Sequence, residues 1–495
     1  MSKFNERTSS SGNCINHEGS SAYKLNPQLE LYNLAAASLL EDTFYENSTQ
    51  QIERLRKLIR QNDPEYVCRL AIYAREKMYL RSIPLVLLVE LAKNKKAAKL
   101  APVLSRVIQR ADEITEVLAY YQTANERNSV KKLNGLSKQI QKGIAEAFNK
   151  FDEYQFAKYN GNRNRTVSLK DALFLSHPKA KNDIQQLIFN KIADGTLAVP
   201  YTWEVKLSTE GNTDKSWEEL IDSGKVGYMA LLKNLRNILT AGVSDRHLTA
   251  VAETISDRKN VLKSKQLPMR FYSAYREIIE IEGSGILIEA LEKAVISSIE
   301  NIEFFKNNKV LIASDVSGSM MKNVSKKSKI QYYDIGLLLS LLLKNKSNTD
   351  ITAGIFGDTW KVKNLPRGNV LANVDYLKKI EGEVGYSTNG YKVIKWALNE
   401  AGTGFDKIIF FTDCQMYNSQ GDKNIMNYWK RYKAKYPGSK IYFFNLSGYA
   451  SAPLEIDNNG VFMISGWNEK IFTMLQSIEN GEGLISEIAK IQLKE

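Results

Sequence analysis

Residues 310–320 read Val-Leu-Ile-Ala-Ser-Asp-Val-Ser-Gly-Ser-Met, an unbroken apolar run that ends in Asp315-x-Ser317-x-Ser319. An oxygen-only cluster at the carboxyl end of a strand is a place to hold a hard cation. Such a cation takes carboxylate and hydroxyl oxygens, and it keeps waters where the protein supplies few charges. One aspartate and two serines at alternate positions of a tight loop can aim three oxygens at one point, with Gly318 letting the backbone turn. The same pattern alone also describes a turn followed by a helix N-cap. Two later segments add to it. Gly-Tyr-Ser-Thr-Asn-Gly at 385–390 offers Thr388 on a polar loop before a helix, and Lys-Ile-Ile-Phe-Phe-Thr-Asp at 407–413 is a second apolar strand, ending in Asp413.

The order of elements around these segments predicts an α/β fold. Strand 309–314 is followed by a helix over 330–344, strand 351–356, a helix over 391–400, strand 407–412, a helix over 424–435 and strand 440–445. Strands alternating with helices imply a parallel sheet covered on both faces, and the continuous apolar strands fit double burial. Ligands of such sheets sit outside the carboxyl ends of the strands, where Asp315 and Asp413 fall. Asp315, Ser317, Ser319, Thr388 and Asp413 together resemble, in order, the metal-ion-dependent adhesion site of von Willebrand factor A-type domains. The resemblance implies a bound Mg²⁺, or another divalent cation such as Mn²⁺ or Ca²⁺. It has Ser317, Ser319 and Thr388 on the ion, Asp315 and Asp413 holding its waters, and one position left for a partner's carboxylate. The chain departs from the pattern at Asn389 and Gln415, where relatives often carry acids, and fewer carboxylates weaken cation affinity.

With 495 residues, 43 % of them hydrophobic, the chain is expected to hold two or three domains with real cores. No apolar run approaches the ~20 residues that span a bilayer, and the first twenty residues are polar with no apolar core of a secretory signal. Three cysteines argue against a disulfide framework and for a reducing compartment, so a cytoplasmic location is expected. Cys14-Ile-Asn-His17 has ligand-like spacing, yet no second pair completes a zinc site, and residues 1–20 are expected to be a disordered tail.

The formal charge is +13. Between residues 131 and 181 eleven basic residues (Lys131, Lys132, Lys138, Lys142, Lys150, Lys158, Arg163, Arg165, Lys170, Lys179, Lys181) face four acids, a net +7 in about a tenth of the chain. Such density is an electrostatic footprint for phosphate backbones, and equally the composition of a solvated lysine-rich helix face. The interleaved Phe148, Phe151, Tyr154, Phe156 and Tyr159 sit at helical spacing and are expected mostly in the core.

Upstream of residue 305 the periodicity is helical throughout. Asp63-Pro64 supplies a cap and a first-turn proline before the apolar stripe Val67, Leu70, Ala71, Ala74, Met78. Pro84, Pro102 and Pro268 open further helical runs, and Ser216-Trp-Glu-Glu219 has the form of a capping box. Short helices punctuated by proline and glycine over some 280 residues suggest stacked helix pairs, although no fixed-period repeat is visible.

Within that region Gly135-Leu-Ser-Lys-Gln-Ile-Gln-Lys-Gly-Ile-Ala-Glu-Ala-Phe148, Ala157-Lys-Tyr and Ser168-Leu-Lys-Asp-Ala-Leu-Phe-Leu-Ser-His-Pro-Lys179 resemble the central signature of TROVE-domain proteins, the Ro autoantigen family. Ala71-Ile-Tyr-Ala-Arg-Glu, Tyr201-Thr-Trp-Glu204, Leu231-Leu-Lys-Asn-Leu-Arg-Asn237 and Gln266-Leu-Pro-Met-Arg270 extend the likeness over nearly the whole chain. The resemblance implies an all-α ring of HEAT-like repeats, residues 21–304, plus an α/β von Willebrand A-type domain, residues 305–480, with 481–495 packing back on the ring. It also implies binding of small noncoding Y-like RNAs on the basic surface and of single-stranded 3′ ends of misfolded RNAs, in RNA quality control. In bacterial relatives an RNA can tether an exoribonuclease. By position the RNA-contacting histidine maps to His177, and its basic neighbours fall among Lys158, Arg163, Arg165 and Lys170. Lys131, Lys132, Lys138, Lys142 and Lys179 complete the candidate RNA surface. Read without the family, His177 before Pro178 is a histidine that ends a helix.

Three function classes are weighed: an RNA-binding ring, a metal-dependent adaptor that grips an acidic partner residue, and an RNA-cleaving enzyme. The chain has three histidines and no paired-carboxylate or Cys/His constellation at catalytic spacing, so an enzyme is not expected.

Overall fold

The computed structural model describes residues 13–37, 40–94, 99–127, 135–160, 165–299, 305–417, 424–456, 459–467 and 470–493. They form two compact units. One joins Met1–Gln51 to Asn212–Leu484, and the other joins Ile52–Gly211 to Ile485–Glu495. The division therefore falls elsewhere than at 304/305.

The first unit is built on two sheets. Its strands are β1 (Asn13–Ile15), β2 (Ser21–Lys24), β3 (Val310–Asp315), β4 (Ile351–Phe356), β5 (Trp360–Val362), β6 (Lys407–Thr412), β7 (Lys440–Asn445), β8 (Ser451–Ala452) and β9 (Val461–Ser465). Six of them form a sheet in the order β5-β4-β3-β6-β7-β9, parallel except for the antiparallel edge strand β5. Every residue of β3 and β6 is buried, which is why both read as unbroken apolar runs. The chain leaves β3 for β4 on one side and then crosses to β6 on the other. This puts a topological switch point between the carboxyl ends of β3 and β6, where Asp315 and Asp413 sit.

Of the helices from 213 to 298, Pro268–Ile278 and Gly285–Ser297 pack on this sheet domain. Glu292 caps the helix Val370–Lys379 by accepting from Leu371 N (2.9 Å) and Ala372 N (3.2 Å). Tyr272 donates to Asp375 at 2.5 Å, and the buried Asp334 pairs with Lys378 at 3.0 Å. The cap expected at Ser216 lies one turn earlier: Thr213 accepts from Ser216 N, and Ser216 is inside the helix Asp214–Asp222.

Residues 13–20, expected to be disordered, are part of the fold. β1 pairs with β2, and β2 pairs with β8, from a loop more than 400 residues away in sequence. The helix Pro27–Ala37 follows and is buried from Leu29 onward; Tyr32 donates to the Ser465 carbonyl at 2.7 Å, and Ser465 Oγ donates to Asn33 at 2.5 Å. Gly448, at φ +70°, lies against this helix, where a Cβ would meet the Asn33 carbonyl at 3.0 Å. Only glycine makes both the turn and the approach.

The second unit is helical. Asp63 caps Pro64–Glu76 through Glu65 N and Tyr66 N, with Pro64 in the first turn, as its sequence implies. The helices Leu100–Val107 and Lys138–Phe148 touch so closely that a Cβ on Gly143 would meet the Ala101 carbonyl at 2.7 Å, a packing reason for the glycine in the 135–148 stretch. Phe148, Phe151 and Phe156 are buried, Phe156 stacking on Phe148 and meeting Phe151 edge-on, whereas Tyr154 is exposed. At the carboxyl end of the chain, Arg69 donates to the Ile491 carbonyl (3.2 Å) and Arg106 to that of Gln492 (2.8 Å).

Candidate functional site

At the switch point Asp315, Ser317, Ser319 and Asp413 meet in buried surroundings, and Thr388 is buried on a loop tied to the same turn. Asp315, Ser317 and Asp413 are each 1 % exposed, Thr388 3 % and Ser319 7 %. Asp315 Oδ1 accepts from Ser317 N (2.9 Å) and Oδ2 from Thr412 Oγ1 (2.6 Å), and the Ser317 and Ser319 hydroxyls lie 3.4 Å apart. The loop bearing Thr388 is tied in by Gly318 N, which donates to the Tyr386 carbonyl at 2.9 Å. Asp358 holds the same loop through Ser387 N at 2.9 Å. Asp413 Oδ1 accepts from Gln415 N at 2.9 Å, while Oδ2 is buried with no hydrogen-bond partner. An orphaned carboxylate oxygen is costly unless something fills its lone pairs.

The electrostatics point the same way. Burial pushes the Asp315 carboxyl up to about 6. Burial, then the Asp315 charge, pushes Asp413 up to about 7. Two buried acids, three hydroxyls and an orphaned oxygen form a donor set that fits a hard divalent cation. Thr412 and the loop-holding Asp358 have no place in the sequence-derived set; Thr412 could be suspected only from standing beside Asp413.

Proton linkage follows with a definite sign. An acid whose folded pKa is raised holds its proton better in the fold than unfolded. The cluster therefore costs nothing below the unfolded value of ~4, and its cost grows as pH rises toward 7, on the order of a few kcal/mol. In EDTA, Asp413→Asn is expected to melt above the parent at pH 8, the gap closing by pH 5. A melting difference independent of pH would contradict it.

The mouth of this cluster is lined by the N-terminal segment. Asn16 Nδ2 donates to the Met416 carbonyl (2.8 Å), and His17 N donates to Gln415 Oε1 (3.0 Å). The His17 ring stacks on Tyr45 at 4.9 Å, and Tyr45 N donates to the Tyr449 hydroxyl at 3.2 Å. The Tyr45 hydroxyl donates to Glu18, and burial together with Glu18 and Asp413 holds it protonated.

The candidate RNA surface lies in the helical unit. Lys131, Lys132 and Arg163 fall outside the described residues. Lys138, Lys142, Lys158, Lys170, His177 and Lys179 are all exposed, and Arg165 is half-buried. Lys138, Gln141, Lys142 and Asn149 share one stripe of the Lys138–Phe148 helix. The segment 175–181 is pinned along that stripe: Gln141 donates to the Leu175 carbonyl (3.0 Å), and Asn149 donates to that of Lys179 (2.9 Å) while accepting from Lys181 N (3.0 Å). His177 thus lies on a segment fixed at both ends to the same helix that carries Lys138 and Lys142. Its backbone ends the helix Leu169–Ser176 at φ +49°, and its imidazole projects outward, so the residue both ends a helix and presents a ring.

Two exposed lysines of the basic count spend their ammonium groups on backbone carbonyls. Lys150 Nζ donates to the Ser105 carbonyl at 2.7 Å and also to that of Ile108, and Lys181 Nζ donates to the Asn149 carbonyl at 2.6 Å. Both serve helix ends. Lys158 and Arg110 share the Tyr159 ring, at 5.8 and 4.8 Å from its centre.

The TROVE domain family model matches residues 17–196 and 195–331 of the chain. Telomerase protein component 1 of Mus musculus is 26 % identical over 305 residues, and its counterpart in Rattus norvegicus 25 % over 304. Each match covers 44 % of this chain and 11 % of the relative, so the chain spans about a tenth of those proteins. Among solved structures, the crystal structure of the Deinococcus radiodurans RO (RSR) protein superposes with a TM-score of 0.60 at 18 % identity, covering 92 % of this chain and 100 % of that one. That likeness is one of fold.

Proposed function

Because the chain belongs to the TROVE-domain family, we propose that it is an RNA-binding ribonucleoprotein component whose lysine face at 138–181 takes the RNA phosphates. The observation that carries this reading is the set of exposed lysines and His177, with the segment 175–181 fixed to the Lys138–Phe148 helix by the Gln141 and Asn149 bonds. Lysines give affinity without sequence choice, and an exposed imidazole can bond a 2′-hydroxyl or stack on a base. The RNA is a small noncoding, Y-like RNA or the single-stranded 3′ end of a misfolded one, held for quality control and not cut by this chain. An exoribonuclease tethered through that RNA would supply the cleavage.

The buried oxygen cluster is a metal-ion-dependent adhesion site of the von Willebrand A type in this reading, with Asp315, Ser317, Ser319, Thr388 and Asp413 holding Mg²⁺ or a similar ion. The ion would supply positive charge where two buried acids otherwise repel. With Mg²⁺, Asp413→Asn is expected to lose the thermal stabilisation that the parent gains, a few kcal/mol at saturation. Equal gains in both proteins would remove the site.

A second reading, an adaptor gripping a partner's carboxylate at the metal, is favoured only by the position such sites leave open. A salt titration of RNA affinity, with and without EDTA, separates the readings. The proposed protein binds RNA with an affinity that falls steeply with salt and ignores EDTA. An adaptor shows little RNA affinity, and an enzyme degrades RNA only with metal; either result overturns the proposal.

A further inference from the structure

One carboxylate outside the cluster, that of Glu18, acts on both of its aspartates. Glu18 sits in the tight turn between β1 and β2, and this turn is set on the cluster's rim by Asn16 on the Met416 carbonyl (2.8 Å) and His17 N on Gln415 (3.0 Å). Asn16 Oδ1 accepts from both Glu18 N (3.1 Å) and Ser20 N (2.9 Å), which fixes the turn. Tyr45 then grips the Glu18 carboxylate through its hydroxyl, with Ser319 and Asp413 as further neighbours of that hydroxyl. Glu18 is near enough that its charge raises the pKa of both Asp315 and Asp413. Among the described residues no lysine or arginine pairs with any of these three carboxylates. Glu18 thus adds a third negative charge to those of Asp315 and Asp413, whose Oδ2 is buried and orphaned, and no protein cation among the described residues answers them. Like charges brought together this way need a common counter-charge.

We propose that Glu18 supplies, from within the chain, the carboxylate for the cation position that a partner would otherwise fill, so that the bound ion latches the N-terminal hairpin onto the sheet domain. The inference rests on the cation reading of the cluster. It changes what that site does: an acidic partner competes with Glu18, and gains the ion only by displacing the hairpin. The site then acts first as an internal clasp. Tyr45, whose own ring packs between His17 and Tyr449, is a positioning residue for the carboxylate.

The test uses the full chain and Mn²⁺ alone, followed by electron paramagnetic resonance. Hydrogen exchange of amides 14–24 is read on the same samples. The parent is expected to bind one ion at the cluster and to slow exchange in the hairpin on binding it. Glu18→Gln should bind Mn²⁺ roughly 10–100-fold more weakly, the range that loss of one ligand or its outer partner costs. It should also lose the exchange protection and become sensitive to added acetate, which can enter the vacated position. Tyr45→Phe, which keeps the ring and removes the grip, should shift affinity in the same direction by less, and it guards against a hairpin damaged by the glutamine. If Glu18→Gln keeps the parent's affinity and exchange pattern while Asp413→Asn loses the ion, the clasp is wrong and the cation reading survives. If parent and Asp413→Asn alike fail to take Mn²⁺, or take it equally, the cation reading falls and the clasp with it.

Discussion

Glu113→Ala is expected to destabilise the helical unit by about 3–5 kcal/mol, because it strands a buried guanidinium. Arg75 is 7 % exposed and Glu113 not at all; Arg75 Nη2 lies 2.7 and 3.0 Å from the two carboxylate oxygens. The rest of the guanidinium is spoken for by the Val107 carbonyl on Nε (3.0 Å) and that of Leu80 on Nη1 (3.3 Å). Glu113 in turn accepts from Gln109 N (2.8 Å), from Arg110 N (3.1 Å) and from Arg81 Nε (3.3 Å). Burial already lowers the Arg75 pKa with its partner in place. Removing the carboxylate therefore leaves one uncompensated charge and two backbone donors without an acceptor. Replacing both partners, Arg75→Met with Glu113→Leu, removes the stranded charge as well and should cost less than Glu113→Ala alone. Hydrogen exchange of the core amides in 64–124 measures the local opening energy directly, which matters in a chain of two units. A loss under 1 kcal/mol, or a double variant worse than the single one, would refute this account. Arg75 belongs to the Ala-Ile-Tyr-Ala-Arg-Glu stretch that carries family likeness, and the geometry explains that residue by folding alone.

What the sequence made legible follows the range of the interactions involved. β3, β6 and β7 each carry four consecutive apolar residues, and β4 is apolar except for Thr352, as burial on both faces of the sheet requires. Asp315 and Asp413 were readable as a pair because each closes such a strand. β9, Val461–Ser465, carries the same apolar signal after Asn458-Asn-Gly460, yet it is not among the strands expected from the sequence. β5, only Trp360–Val362, exists because it pairs antiparallel with β4, and three residues carry no period. The N-terminal hairpin was illegible for a stronger reason. β1 and β2 are only Asn-Cys-Ile and Ser-Ala-Tyr-Lys, too short to carry a period, and β2 is held as a strand by β8, more than 400 residues on. Composition reports a segment's own tendency, whereas an edge strand borrows its partner's. Glu18 and Tyr45 stand 27 residues apart and far from Asp315 and Asp413, so no local pattern could join them. The basic stretch was legible as charge but not as surface: counting cannot separate Lys142, which points to solvent, from Lys150, which caps a helix.

That separation sharpens the RNA experiment. Replacing Lys138, Lys142, Lys170 and Lys179 together by alanine removes four exposed charges, none of which makes a close hydrogen bond to a backbone carbonyl. Lys138 meets only Gln141 at 3.3 Å, and Lys142 reaches Glu146 only at 4.0 Å, so the fold should lose little. Each lysine that no longer neutralises a phosphate lowers the slope of log affinity against log salt by ~0.7–0.9. Four such lysines thus flatten it by about three units and weaken binding on the order of 100-fold or more near 0.1 M salt. His177→Ala is expected to lower affinity with little change of slope, since it removes a base or 2′-hydroxyl contact and no lysine from the phosphates. The control must be chosen by geometry. Lys433 is unsuitable because its ammonium serves the Pro437 and Ser439 carbonyls, the latter at 2.9 Å. Lys435 donates to the Leu398 carbonyl at 3.4 Å, whereas Lys395 and Lys430 are exposed without such a bond and remove two charges at little structural cost. If the control pair flattens the slope as much per charge as the quadruple set, RNA is responding to net charge alone. If only the quadruple set does, the phosphates run along the stripe where Gln141 and Asn149 hold the 175–181 segment.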